Sequence, residues 1–597
     1  MVETSQGALP PQTHTLSFDE RTARGRALRE RCSRKRHATW EAPSHRRDPV
    51  EILIEQGEAR LPDLLPLRYA RMKASPFAFL RGAAAIMAAD LAITPTTGTV
   101  VQSAGDCHCL NFGAFATPER RLVFDINDYD ETAVAPWEWD LKRLATSFVV
   151  ASRDRLDRKG RTELAAIVAR AYRETMATLA ETPILDAWYR ALTVDDEDRA
   201  AAMGIDARSL RKAGSALIHA VEIASLSHHP GPTPRIKNEP PLVHHPAPAV
   251  ASAFHAAVEA MLDDYRTSLI PERRTLVDRY RLADAAYKVV GVGSVGTLCG
   301  VLLMVSGEGE ALYLQFKEAT RSVLEAYAGP SPYAHHGERV VRGQRLLQAA
   351  SDILLGFATG PTGRHIYVRQ LRDAKIKPQV ETMSAGSFRR YAAVCGEVLA
   401  RAHSRTVDAV ILSAYLGKST TFDDAIGAFA LIHGRDASTG ALVAGAIGFV
   451  CCLAGDVFLL DAVDRFVFGL ASFLVGHLAF VVMFVELGLP DWQWGGVALI
   501  VVSMVAGVIG NLIVRGATAQ EPKLRGPVLA YLAVISAMTV VGWATGRVAA
   551  IVGSTLFITS DSILGWRAFV RERAWMSLAV MVTYHGALIG LALSLHA

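Results

Sequence analysis

Three oxygen-bearing side chains lie close together in "GDCHCLNFGAFATPERRLVFDINDYDE", residues 105–131: Asp106, Asn111 and Asp128. Their types suit phosphoryl transfer. That reaction asks a protein for a carboxylate to orient the attacking hydroxyl, a divalent cation to neutralise charge, and donors around the phosphates. Mg²⁺ prefers oxygen and takes one or two carboxylates or an amide from the protein. Asp106 is the candidate catalytic carboxylate. Asn111 and Asp128 are the candidate metal ligands, with Asp125 placed behind Asp128. The nucleotide side needs a glycine-rich turn between strands and a lysine on the next strand. "GVGSVGT" offers Gly291, Gly293 and Gly296, and Lys317 follows in "LYLQFKEA". Glu338, on a predicted helix, is the candidate partner of Lys317, with Glu318 and Glu325 as rivals. Arg81 and Arg369 are read as members of structural ion pairs, and His108 as a hydrogen bonder that fixes its loop. The implied cofactors are ATP and Mg²⁺.

A second group sits in apolar surroundings: Asp456 in "CCLAGDVFLL", His477 in "GLASFLVGHLAFVV" and Asp561 after "STLFITS". Ionisable groups within a bilayer are costly, so each is a functional candidate by default. Two carboxylates facing one dry cavity can divide acid and base work.

The elements that must position these groups differ between the two ends of the chain. From Ala441 onward only 16 of 157 residues are charged, against 20% overall. Six apolar spans are predicted there, 441–460, 466–487, 495–514, 527–545, 547–565 and 575–595, each near the length that crosses a bilayer. The first 48 residues are polar and Arg-rich and are expected to form a disordered arm. Residues 49–432 carry mixed helix and strand patterns: strands at "GTVVQSAGD" and "RRLVFDINDYD", a β-rich stretch around the glycine turn, a helix over "GERVVRGQRLLQAASDILLGF", the strand "RHIYVRQL", then helices from about Ser387 to Ile432. Residues 433–440 are the expected junction. A net charge of +4 gives no footprint for nucleic acid. The seven cysteines are scattered, with no metal-like pairing.

The first block resembles the kinase-like fold in its aminoglycoside and choline phosphotransferase branch, through Gly105-Asp106-x-His108-x-x-Asn111, Asp128-Tyr129-Asp130 and Trp139-Asp140-Leu141. The resemblance implies an α+β kinase-like domain whose halves are circularly permuted, because the glycine turn and Lys317 follow the catalytic loop. More closely it is similar to the bacterial domain-of-unknown-function family 2252, through "SPFAFLRGAAAIMAADLA", "GDCHCLNFG", "FDINDYDET", "VGVGSVGT" and "YVRQLRD". The tail, 441–597, resembles the YhhN family, which includes lysoplasmalogenases, through "GDVFLL", "GLASFLVGHLAF", "GSTLFITSDSILGWRAF" and "VTYHGALIGLAL". That resemblance implies an all-α polytopic domain hydrolysing a vinyl-ether lipid, with Asp456, Asp561 and His477 as catalytic candidates. The family has about eight spans, and this tail starts at the equivalent of the third. The expected partners are a lipid bilayer, a lysoplasmalogen-like lipid and a nucleotide. The expected location is the inner membrane with the first block in the cytoplasm. The loop charges point the other way: Arg465, Arg515, Lys523, Arg525, Arg567, Arg571 and Arg573 share one side of the spans against Arg547 on the other. A nucleotide-binding pseudokinase on an inactive anchor is the alternative.

Overall fold

The computed structural model describes residues 15–43, 46–211, 227–228, 234–240, 242–289, 295–360, 362–371, 375–433, 439–459, 466–489 and 491–595. The chain divides into two compact units, Met1–Gly434 and Arg435–Ala597.

The arm is the first expectation to change. Residues 1–14 of it lie outside the described residues, but α1 (Phe18–Arg31) is a regular helix opened by a capping box. Ser17 Oγ accepts from the Glu20 amide at 3.2 Å, and Glu20 returns the bond to the Ser17 amide at 2.7 Å. Its arginines have specific work. Arg29 donates to the carbonyls of Tyr415 and Ala414 at 2.9 and 2.5 Å, and Arg34 to that of Leu416 at 2.8 Å. Those carbonyls end the helix Ala409–Leu416, where helical donors run out and cations are favoured. Composition alone reads such arginines as solvated. Their acceptors lie nearly four hundred residues away in sequence.

The next elements build a helical layer around the carboxylate loops. A short helix, α2 (Pro76–Gly82), precedes β1 (Val100–Ser103). β2 (Phe112–Ala116) and β3 (Leu122–Ile126) form a hairpin, and β4 (Ala133–Pro136) returns antiparallel to β1. α3 (Trp137–Ala151) and α4 (Arg158–Glu181) follow. Trp137 is fully buried, stacks on Tyr172 with ring centroids 5.6 Å apart, and donates Nε1–H to Thr97 Oγ1 at 3.0 Å.

Then comes a predominantly β layer. α5 (Pro248–Ser268) leads into β5 (Tyr280–Lys288), β6 (Cys299–Ser306) and β7 (Ala311–Glu318). α6 (His336–Leu347), β8 (Gly356–Thr359) and β9 (His365–Gln370) complete it. The sheet is antiparallel in the order β8-β9-β7-β6-β5, with Val243–His244 as a short edge beyond β5. Alternation sorts the side chains. Leu302, Met304, Leu314, Phe316, Ile366 and Val368 cluster with Met261, Leu262 and Tyr265 of α5. The other positions send Gln315, Lys317, Tyr367 and Arg369 to the opposite face. The register pairs Lys317 with Tyr367 and Gln315 with Arg369.

The predicted helix over 337–357 stops early. α6 ends at Leu347 because two polar groups beyond it are claimed by the hairpin: Gln348 Nε2 donates to Ile126 O, and the Ala349 amide to Asp125 Oδ2, both at 2.8 Å. The unit closes with α7 (Ala385–Ser404), α8 (Ala409–Leu416) and α9 (Thr421–His433).

The second unit is all helix: α10 (Thr439–Phe458), α11 (Phe466–Leu487), α12 (Trp492–Gln520), α13 (Arg525–Ala544), α14 (Val548–Phe569) and α15 (Ala574–Ser594). Among the described residues these six are long and apolar enough to cross a membrane. α12 runs past both ends of its predicted span and carries a π turn at Ala506–Gly510. Leu499, Ile500, Met504, Leu578 and Ile589 are exposed on the outside. Phe480, Met483, Phe484, Met538 and Phe557 fill the inside. An apolar exterior of this kind is what lipid favours. α14 and α15 touch through glycines: a Cβ on Gly590 would lie 2.7 Å from Gly553 Cα.

Docking of α1 is testable at Gly25, where an added Cβ would stand 2.1 Å from Ile411 O. Gly25→Val is expected to cost roughly 1–3 kcal/mol by overpacking and to free α1. Limited trypsin digestion reads this directly: the variant is cut within 18–31, and the parent is resistant there.

Candidate functional site

In the first unit the loop after β1 is shaped before it is functional. Gly105 has φ +86°, and a Cβ there would meet Glu131 O at 2.1 Å, so only glycine fits. Asp140 of α3 accepts the amides of Ala104 and Gly105 at 2.6 and 2.9 Å. His403 lies 3.2 Å from Asp140 Oδ2. Asp106 is then gripped by Arg143 of α3, whose Nε donates to Oδ1 at 2.7 Å. The same guanidinium donates to Leu80 O of α2 at 2.9 Å. His108 accepts the Leu110 amide on Nδ1 at 3.2 Å, and burial pushes its pKa down to about 4, so it stays neutral. It fixes the loop, as expected. Asn111 donates Nδ2–H to Asp106 O at 2.7 Å, which turns Oδ1 toward any cation.

The loop after β3 brings the second set. Lys317 Nζ reaches Asp130 Oδ2 at 2.5 Å, and Tyr367 O–H donates to Asp130 Oδ1 at 2.6 Å. Burial alone would raise Asp130, but Lys317 and Tyr367 outweigh it and the carboxyl falls to about 2. Lys317 is held well above its usual value by the same pair, against the pull of burial. Asp128 has no such cation. Burial and then Asp130 raise its pKa, while Lys317 and Arg369 act against them. Asp106 also acts on Asp128, so the catalytic loop and the lysine strand meet around one carboxylate group.

Several expectations need correction. Glu338 does not reach Lys317; it pairs with Arg342 one turn along α6, at 3.2 Å. Its rivals are also engaged elsewhere, Glu318 by Arg364 at 2.5 Å and Glu325 by Arg339 at 3.6 Å. The lysine's partner is Asp130, which a helix-first reading passed over. Asp125 faces away from the group. Its Oδ1 accepts from Arg401 at 2.5 Å and its Oδ2 from the Ala349 amide at 2.8 Å, all buried. The strand alternates, so Asp125 falls on the core side and Asp128 beyond the strand end. Arg369 makes no ion pair among the described residues; it donates to Gln315 Oε1 at 3.1 Å and Asn127 O at 3.4 Å. Gly291 and Gly293 lie outside the described residues. Gly296 has φ +92°, and its carbonyl accepts the Leu61 amide at 2.8 Å, while Arg60 Nη1 donates to Val295 O at 2.6 Å. Among the described residues no three His, Cys, Asp or Glu side chains are grouped to hold a metal ion. Asn111 Oδ1 with Asp128 is a smaller donor set, of the kind that suits Mg²⁺ completed by phosphate oxygens and water.

In the second unit the three predicted residues come together. Tyr584 of α15 donates to Asp456 of α10 at 2.8 Å. Tyr531 of α13 donates to Asp561 of α14. His477 of α11 is buried, donates Nδ1–H to Phe473 O at 2.6 Å, and holds Nε2 3.8 Å from Asp561 Oδ2. Among the described residues His477 Nε2 has no hydrogen-bond partner. Phe557 lies edge-on between the rings of His477 and Tyr584, with centroids 4.6 and 5.5 Å away. Tyr531 carried no motif signal; its phenol is visible only once α13 is packed against α14. His585 sits on the exposed side of α15. α12, α13, α14 and α15 also enclose an apolar cavity of about 710 Å³, with Thr539, Trp543, Ile558 and Ser562 in its wall and Arg571 and Arg573 at its border.

Comparison with known proteins matches residues 60–438, well over half of the chain, to the family described as "Uncharacterized protein conserved in bacteria (DUF2252)". The chain belongs to this family. In this DUF2252 protein the YhhN family matches residues 419–595 in addition, overlapping the first match through α9. The curated protein "Lysoplasmalogenase TMEM86B" of Rattus norvegicus is 31% identical over 155 residues, 26% of this chain and 59% of that protein. The chain thus spans about three-fifths of the length of the curated relative it matches. No solved structure matches.

The two aspartates of the β3 region separate by experiment. Arg401→Met leaves Asp125 buried without its cation and is expected to cost about 3–5 kcal/mol. Asp128→Asn removes a carboxylate with no ion pair and is expected to leave stability within about 1 kcal/mol. Thermal melting of the full chain in detergent orders the two; equal losses would place Asp128 in the core.

Proposed function

We propose that the membrane unit hydrolyses the vinyl-ether bond of a lysoplasmalogen-like lipid. The observation that carries this is the interior group of Asp456 and Asp561, each held by a tyrosine O–H, with His477 Nε2 facing Asp561. A vinyl ether, R–CH=CH–O–R′, is cleaved by protonation at its terminal alkenyl carbon. One carboxyl delivers that proton, and an oxocarbenium ion forms at the carbon bearing oxygen. The other carboxylate takes a proton from water as the water adds to it. The hemiacetal then releases R–CH₂–CHO and the alcohol HO–R′. The tyrosines orient the carboxylates without adding charge, which suits a site in lipid. The apolar cavity offers a place for the hydrocarbon chain. The likeness to a lysoplasmalogenase supports the same reading.

A second activity is favoured by the first unit. We infer an ATP- and Mg²⁺-dependent phosphotransferase site of kinase-like, circularly permuted organisation. The sheet order β5-β6-β7-β9-β8, with Lys317 on its third strand and a helix between third and fourth, supports it. Lys317 and Arg369 would meet phosphate oxygens, and Asn111 with Asp128 would hold Mg²⁺, which supplies charge neutralisation when bound. Asp106, fixed by Arg143, orients the acceptor hydroxyl. Asp130 holds Lys317 in place.

Two measurements test these readings. Asp456→Asn or Asp561→Asn should abolish aldehyde release from a lysoplasmalogen by the reconstituted full chain, and Tyr531→Phe should slow it about tenfold. Aldehyde release that survives either aspartate substitution removes the hydrolase. For the second site, Lys317→Ala should lower affinity for an ATP analogue at least about tenfold. An unsubstituted chain that binds no analogue removes the transferase. Binding without phosphate transfer to any acceptor marks a pseudokinase.

A further inference from the structure

The cleft of the first unit holds two cations that the nucleotide reading does not use. Arg81 follows Leu80 on α2, whose carbonyl is tied to the Arg143 that grips Asp106. Its Nε is buried without a hydrogen-bond partner among the described residues, and its guanidinium forms no ion pair there. Lys377 follows Ile376, which bridges to Ala114 of β2 through amide–carbonyl bonds of 3.0 and 2.8 Å. That bridge fixes Lys377 beside the strand that begins after Asn111. Its side chain is exposed and makes no hydrogen bond or ion pair among the described residues. Electrostatically it interacts with Asp128, Arg81, Arg369 and Lys317, so it belongs to the same cleft. Arg81 acts on His108 and on Lys377.

Charge accounting then separates two sides. Asp106 is neutralised by Arg143 and Asp130 by Lys317. Lys317 and Arg369 stand on the sheet face, where phosphates of a nucleotide would lie. Arg81 and Lys377 stand on the other side, with the catalytic loop, where an acceptor hydroxyl must approach Asp106. Two like charges held near each other at fixed positions repel, and an anion between them relieves the repulsion. A neutral acceptor such as a simple alcohol or sugar gives them no role.

We propose that the acceptor of this site is itself an anion, bearing a phosphate or carboxylate group that Arg81 and Lys377 hold while its hydroxyl meets Asp106. This rests on the phosphotransferase reading and narrows it to a substrate class. Arg81 presents a planar fork suited to two oxygens, and Lys377 a mobile point charge.

The test uses the full chain in detergent, saturated with a non-hydrolysable ATP analogue and Mg²⁺, so that the nucleotide phosphate positions are filled. Inorganic phosphate is the probe, titrated calorimetrically. One phosphate site is expected. Arg81→Gln and Lys377→Gln should each weaken it about tenfold, and the double variant should abolish it, with the analogue still bound as a check on folding. Arg81→Lys should recover part of the lost affinity. Because Lys377 is exposed, its variant stands as a test even if Arg81→Gln misfolds. If the analogue binds but phosphate does not, or binds equally well to all variants, the anionic-acceptor inference is overturned while the transferase stands. If the analogue itself does not bind, the transferase falls and the inference with it.

Discussion

The contact between Lys317 and Asp130 is the constraint on which the first unit's site depends. One partner stands on the third strand of a sheet, the other on a loop after a hairpin, 187 residues apart in sequence. A buried ammonium is tolerable only beside a carboxylate, and a buried carboxylate only with enough donors. Tyr367 supplies the extra donor, and the sheet register that pairs Tyr367 with Lys317 delivers both to the same acid. Asp128 stays outside this arrangement. That division explains why one carboxylate of "DYD" is structural and its neighbour is left for chemistry.

The same logic orders the catalytic loop. Asp140 binds two loop amides, and Arg143, three residues on and so nearly on the same helix face, binds the Asp106 carboxylate. One helix thus fixes both the backbone and the side chain of the loop. Its own position is set by Trp137, Tyr172 and the helices around them, and α1 adds a tie across the end of α8. Precision at the site is inherited from a rigid helical layer.

Sequence pattern showed a good part of this. The six apolar helices were legible because lipid imposes length and composition on each span independently of its neighbours. The strands around Lys317 were legible from alternation. What pattern could not show were pairings between distant segments. Glu338 sits where a helix carboxylate was expected, yet α6 turns it to Arg342, and the ion pair goes to Asp130 instead. Asp125 and Asp128 look alike in a string and differ only through strand parity and the position of Arg401. The arginines of α1 read as solvent charge because their acceptors are main-chain carbonyls, which carry no side-chain signature at all.

The two units solve one problem in different solvents. Each must hold a carboxylate in a defined orientation within a dry interior. The first unit does so with a cation and a phenol on Asp130. The second uses phenols, Tyr531 on Asp561 and Tyr584 on Asp456, together with a neutral imidazole's reach from His477. A lysine in lipid would need its own desolvation repaid, whereas a tyrosine O–H orients the acid at little electrostatic cost and packs its ring among Phe473 and Phe557. A phenol also leaves the proton affinity of the acid to its surroundings and does not fix it as an anion. Acid catalysis on a vinyl ether requires that freedom, and phosphoryl transfer does not: there a cation that keeps Asp130 ionised does no harm, because Asp130 positions Lys317 and Asp106 receives the hydroxyl. The choice of partner for each aspartate therefore follows the chemistry asked of it as much as the solvent around it.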